Sequence, residues 1–175
     1  MPELEFHHEA AHESDPTGKK IGVLAAAFAV ALALVTIVSH RTHTHAIVLR
    51  TEVNDQWQYY QSKRIKFHNL ELGQDLIAAL GANGEAAEKV LSRYGNEKGR
   101  YEKEGEDIQR EARRIESEVS RVERRALLYD IGEGLLEIAL ILTSLYFISR
   151  KISFPVMGLV AGLAGGIVAV TGMLI

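Results

Sequence analysis

The stretch Ile21-Gly-Val-Leu-Ala-Ala-Ala-Phe-Ala-Val-Ala-Leu-Ala-Leu-Val-Thr-Ile-Val-Ser39 decides the fold. None of its nineteen residues is charged. As an α-helix it spans roughly 28 Å, enough for the hydrocarbon core of a bilayer. A cleaved signal peptide is the rival reading. The acidic prefix of twenty residues, the length of the apolar run and the lack of a small-residue cleavage site after Val38 argue against it. Residues 21–39 are therefore read as a first membrane-spanning helix, behind a polar tail rich in His and Glu at 1–20.

Two further runs have the same character. Residues 135–149 are interrupted only by Glu137, and residues 152–175 are charge-free and rich in glycine. Arg150 and Lys151 lie between them with almost no loop, so the two spans should form a tight antiparallel hairpin. The positive-inside rule puts that basic hinge, and Lys19 and Lys20 before the first span, on the cytoplasmic side. Arg41, Arg121, Arg124 and Arg125 argue the other way. Long segments translocate largely regardless of charge, so the short hinge carries more weight and residues 40–134 are placed outside.

Those intervening residues hold 16 of the 20 Lys/Arg and 17 of the 23 Asp/Glu. Such a near-neutral balance describes a salt-bridged, solvated helix surface, and no nucleic-acid partner is expected. The chain has no cysteine, which excludes disulfides, thiolate metal sites and cysteine nucleophiles. No proline falls between Pro16 and Pro155, so nothing forces a helix to break.

Two helices suffice for 40–134, with Gly81-Ala-Asn-Gly84 as the turn between them. The second carries Ala87, Leu91, Tyr94, Lys98, Tyr101, Gly105, Ile108, Ala112, Ile115, Val119, Val122, Ala126 and Tyr129 at alternating steps of three and four. That spacing marks coiled-coil packing. The first answers with Ala46, Val53, Trp57, Tyr60 and Phe67. Folding about the turn sets Trp57 against Ile108 and Tyr60 against Gly105. The expected fold is all-α, with three transmembrane helices and a long extramembrane antiparallel coiled-coil hairpin between the first and second. A fully helical arm would reach roughly 60 Å from the membrane.

Asp130, Glu133 and Glu137 enter the second span at i, i+3 and i+7, on one helix face. Intramembrane acids are candidates for ion or proton handling. The structural alternative is interhelix pairing with Arg41 or with a histidine of the first helix. His40 and His43, at i and i+3, could join Glu133 in a mixed metal site, although no complete ligand motif is present. His7, His8 and His12, among the tail's glutamates, form a second weak metal candidate, and a solvated tail is the favoured reading. Gly158, Gly162, Gly165 and Gly166 form a small-residue stripe suited to close helix approach, either within the chain or between copies. Trp57 and Tyr60 begin too far beyond the first span for an interfacial belt, and packing within the arm is expected. No phosphate loop, catalytic triad or zincin motif is present, so no enzyme activity and no cofactor are expected.

The runs Asp55-Gln-Trp-Gln-Tyr-Tyr-Gln-Ser-Lys63 and Asp130-Ile-Gly-Glu-Gly-Leu-Leu-Glu-Ile-Ala-Leu140 resemble the bacterial domain-of-unknown-function 4337 family. The first span with His and Arg after it, the charged helices and the basic hinge fit as well, so the resemblance covers nearly the whole chain. It implies a bacterial membrane protein and brings no established activity; a multi-pass protein of the bacterial inner membrane is expected. The functional expectation is a structural or scaffolding protein of the bilayer, self-associating through its arm and its Gly-rich third span, with an envelope protein as a further partner class. The alternative is an ion or proton channel, or a transport accessory, using Asp130, Glu133 and Glu137.

Overall fold

The computed structural model describes residues 15–175. They are helical almost throughout: α1 (Pro16–Ala79), α2 (Glu85–Ser144), α3 (Tyr146–Ser149) and α4 (Ser153–Leu174). Three helices, Pro16–Ala79, Glu85–Ser149 and Ser153–Leu174, are long and apolar enough to cross a membrane. The described residues divide into two compact units, one made of residues 15–37 and 128–174, the other of 38–127 with Ile175. Residues 128–134, read from the sequence with the arm, thus belong with the apolar segments.

In the apolar unit, Phe28, Leu136 and Ala139 form a core, with Leu24, Leu32, Val35 and Ala161 packed against it. α2 and α4 approach closely through small residues. A Cβ at Gly158 would lie 2.9 Å from the Ala139 carbonyl oxygen, and one at Gly165 would lie 2.8 Å from that of Gly132. Pro155, Gly158, Gly162, Gly165, Ala169 and Gly172 are the buried positions of α4. They recur every three or four residues, so the packing face follows the 3.5-residue repeat and leaves Gly166 aside, with open space around its Cα.

The second unit pairs the rest of α1 with the rest of α2. α1 ends at a Schellman motif: the Ala82 N–H donates to Ile77 O at 3.2 Å and the Gly81 N–H to Ala78 O at 3.1 Å. Gly81 (φ 60°) and Gly84 (φ 112°) supply the left-handed backbone that the reversal needs. Glu85 and Glu88 then occupy the first turn of α2, where the helix dipole favours them.

The inward positions of α1 are Ala46, Leu49, Val53, Gln56, Tyr60, Lys63, Phe67, Leu70, Gln74 and Ile77, all buried or half-buried. Those of α2 are the twelve seam residues from Ala87 to Ala126; Tyr129, which continues the spacing, belongs to the apolar unit, where its ring faces Gly172. Ala46, Leu49, Ile115 and Val122 make the best-packed stretch, flanked by Val53 and Val119. Toward the turn, a Cβ at Gly105 would lie 3.6 Å from the Tyr60 ring, as the sequence pairing anticipates. Trp57 stands beside the seam, and its indole N–H donates to Glu116 Oε1 at 2.9 Å.

Candidate functional site

Glu133 and Glu137 sit one helical turn apart on α2, yet their surroundings differ. Glu133 is half-buried, and its Oε1 accepts a 2.8 Å hydrogen bond from the Thr36 hydroxyl of α1. That bond joins two helices of the apolar unit. Glu137 is exposed and makes no hydrogen bond or ion pair among the described residues. Asp130 is exposed on the same face, with Ile141 and Ser144 continuing it, and Gly134 beside Glu137 has nothing within 4 Å of a built Cβ. A carboxylate directed outward from an apolar segment costs several kcal/mol in hydrocarbon unless it is protonated or met by a polar group, by the usual insertion scales (roughly 3 kcal/mol).

A second polar cluster lies at the opposite end of the same unit, and sequence reading missed it. Asp15 precedes Pro16, the first helical residue, and accepts the Thr17 N–H at Oδ1 (3.0 Å), the geometry of an N-cap. Its Oδ2 accepts from Arg150 at 2.8 Å and from the Tyr146 hydroxyl at 3.2 Å. One carboxylate therefore ties the start of α1 to α3 and the basic hinge. The Gly18 N–H, with help from Tyr146, Thr17 and Arg150, holds Asp15 below the usual carboxylate range against the opposing effect of desolvation. Arg150 adopts φ 56°, closing α3 in the left-handed conformation before α4 begins.

In the arm, charged groups support the seam at its less apolar end. Lys63 Nζ lies 2.6 Å from Glu104 and 4.9 Å from the centre of the Tyr59 ring. The Glu104 hydrogen bond raises the Lys63 pKa, and the same contact lowers that of Glu104. Lys98 reaches Glu71 and Gln74, both at 3.2 Å, and its ammonium stands 4.9 Å from the Phe67 ring. Glu71 is held low first by its bond from His68 and then by that from Lys98. A lysine at an inward position is tolerated because its stem covers apolar surface while the ammonium finds a carboxylate.

The remaining sequence-selected residues fall as follows. His40, Arg41 and His43 are exposed on α1. Ile115 and Val122 are buried in the arm, Ile108, Tyr60 and Trp57 are half-buried, and all five are engaged between α1 and α2. Gly158 and Gly165 contact α2, and Gly162 contacts Phe28 of α1. His7, His8 and His12 lie outside the described residues. Among the described residues, no three His, Asp or Glu side chains come together as a metal-holding group.

A family model described as Domain of unknown function (DUF4337) matches residues 17–175. Neither the curated proteins nor the solved structures give a match.

Proposed function

The chain belongs to the Domain of unknown function (DUF4337) family, and from that premise we propose that it is a self-associating scaffold of the bacterial inner membrane. In this reading α1, α2 with α3, and α4 supply three transmembrane segments, and residues 38–127 form an extramembrane antiparallel coiled coil. The observation that carries it is the unbroken three-four repeat of the arm. Twelve seam positions on α2 and ten on α1 run through the arm, and what the sequence elaborates over that length is packing between long helices. Reach and association are what such an arm provides.

The Asp15–Arg150 contact supports an orientation. It gathers Lys19, Lys20, Arg150 and Lys151 at one end of the apolar unit, which the positive-inside rule assigns to the cytoplasm, with the arm outside. Copies associating in the bilayer, and an envelope protein meeting the arm, are the partners of this reading. Mass photometry of the full-length protein in lipid nanodiscs tests it. Oligomers are expected, and a strictly monomeric protein at every loading ratio rejects it.

One observation favours a second reading, ion or proton handling: Glu137 is exposed within an apolar segment and has no partner among the described residues. In this case Glu137→Gln alters proton or cation flux into liposomes while leaving the oligomer mass unchanged. A parent protein without measurable flux rejects the second reading alone.

A further inference from the structure

We infer that the outward stripe of α1 made by Ser62, Ile65, Asn69, Leu72, Leu76 and Ala79 docks a second copy of this chain, parallel and in register. The inference rests on the self-association reading and says which surface serves it. The seam residues of the arm and Gly158, Gly162 and Gly165 of α4 are already used inside one chain, so association needs another face.

Three observations lead to this one. The first is a contrast between the two arm helices. On α2, the face turned away from the seam is densely charged, exposing Lys89, Arg93, Lys103, Asp107, Arg110 and Arg114, with Arg110 paired to Asp107 and Arg114 to Glu111. On α1, the stripe from Ser62 to Ala79 carries no charge of its own, with His68 and Asp75 beside it on the outward face; Ser62 is half-buried, and the stripe exposes Ile65 (61%), Leu72 (59%) and Leu76 (53%). A grouped apolar stripe on a helix that is elsewhere charged marks an interaction surface. Its steps of three and four residues are those of a helix-packing seam, about 26 Å long.

The second observation is the place of Asn69. It sits between Ile65 and Leu72 at the centre of the stripe and is exposed. An amide there is a poor neighbour for an aliphatic side chain. In a parallel in-register pair it meets the same amide of the second copy, each side chain donating to the other, and a single polar position of this kind fixes register in parallel helix pairs. An antiparallel arrangement would set Asn69 against Leu72 instead.

The third is charge at the edges. Gln61, His68 and Asp75 flank one side of the stripe, and Lys66, Gly73 and Leu80 the other. The parallel register sets Gln61 against Lys66 of the second copy, an amide carbonyl against an ammonium, and places no like charges together. The stripe lies on the same helix as the first candidate span, so copies inserted alike in one bilayer run α1 in the same chain direction. Confinement in the membrane also raises the effective concentration, which lets so short a seam suffice.

The absence of cysteine makes the test direct. Full-length protein carrying only Ser62→Cys or only Ala79→Cys is reconstituted in lipid vesicles and oxidised with copper phenanthroline. Each variant is expected to give a self-linked dimer. Ser117→Cys, exposed on the outward face of α2, is expected to give none, and adding Leu72→Glu is expected to abolish the linking through residues 62 and 79. Leu72 is exposed within one chain, so circular dichroism should show unchanged helicity. Links that appear only when the two variants are mixed would mean an antiparallel pair and overturn the inference. Equal linking through Ser117→Cys, or no effect of Leu72→Glu, would do the same. A nanodisc oligomer without links through residues 62 or 79 rejects this surface and spares the scaffold reading, whereas a nanodisc monomer removes both.

Discussion

Phe28 and Gly162 share one space: the edge of the phenyl ring stands where a side chain on residue 162 would begin. The contact joins α1 to α4 and needs both partners, a large ring on one and no side chain on the other. Gly162 is thus used inside the chain, as Gly158 and Gly165 are against α2.

Gly162→Leu should therefore destabilise the protein by about 1–3 kcal/mol, the usual cost of overpacking. Gly166→Ala should be nearly neutral, because nothing lies within 4 Å of its Cβ position. Thermal unfolding of the two variants in the same mild detergent checks the contrast.

Asp15→Ala should lower the melting temperature through loss of the N-cap and of the Arg150 contact. Asp15→Asn keeps an acceptor for the Thr17 N–H but loses the ion pair with Arg150. It should fall between the parent and the alanine variant in thermal stability. Equal melting temperatures for Asp15→Ala and the parent would remove the clasp from the account.

Acidification should loosen the arm at its turn-proximal end. Glu71 and Glu104 have pKa values depressed below the ordinary 4.5, chiefly by the bond from His68 and by the bond from Lys63, respectively. A depressed carboxylate contributes stability that is fully present above its unfolded value and is lost as the pH falls through its folded value. Lys63 is raised above 10.5, so its share is present at neutral pH and lost as the pH rises through the folded value. Hydrogen-exchange protection, relative to the intrinsic rate at each pH, should fall near residues 63–74 and 94–104 below about pH 4.5, the ordinary value from which both carboxylates are depressed. Glu104→Gln should reduce that dependence.

Gly105→Ala should stabilise the arm by up to about 1 kcal/mol, since alanine is the better helix former and its Cβ would meet the Tyr60 ring at ordinary contact distance. Gly73→Ala should do the reverse. Its Cβ would lie 2.6 Å from the Tyr94 ring, which must then swing away. Circular dichroism melts of the full-length chain distinguish the two signs.

The sequence yields its long-range plan because hydropathy and the absence of proline act over tens of residues. The α2 seam is legible for the same reason: nearly every inward position is apolar, aromatic or small. The α1 seam is harder to read because Gln56, Lys63 and Gln74 occupy inward positions, and Lys63 is acceptable there only because Glu104 and two aromatic rings receive it. Composition draws the eye to Trp57, which stands beside the seam. In α4, glycines four apart suggest Gly158, Gly162 and Gly166 as one face, whereas antiparallel packing on α2 selects Gly165 instead. Asp15-Pro16 is a readable helix start, yet its partner Arg150 lies 135 residues away, a distance no local pattern bridges.

The central claim is that copies of this chain associate in a lipid bilayer. Single-molecule photobleaching of singly labelled full-length protein, across a dilution series in liposomes, measures it most directly. Two or more bleaching steps per spot are expected to persist as the protein-to-lipid ratio falls, with a return to single steps on introducing Leu72→Glu. Single steps for the parent protein at every ratio would contradict it.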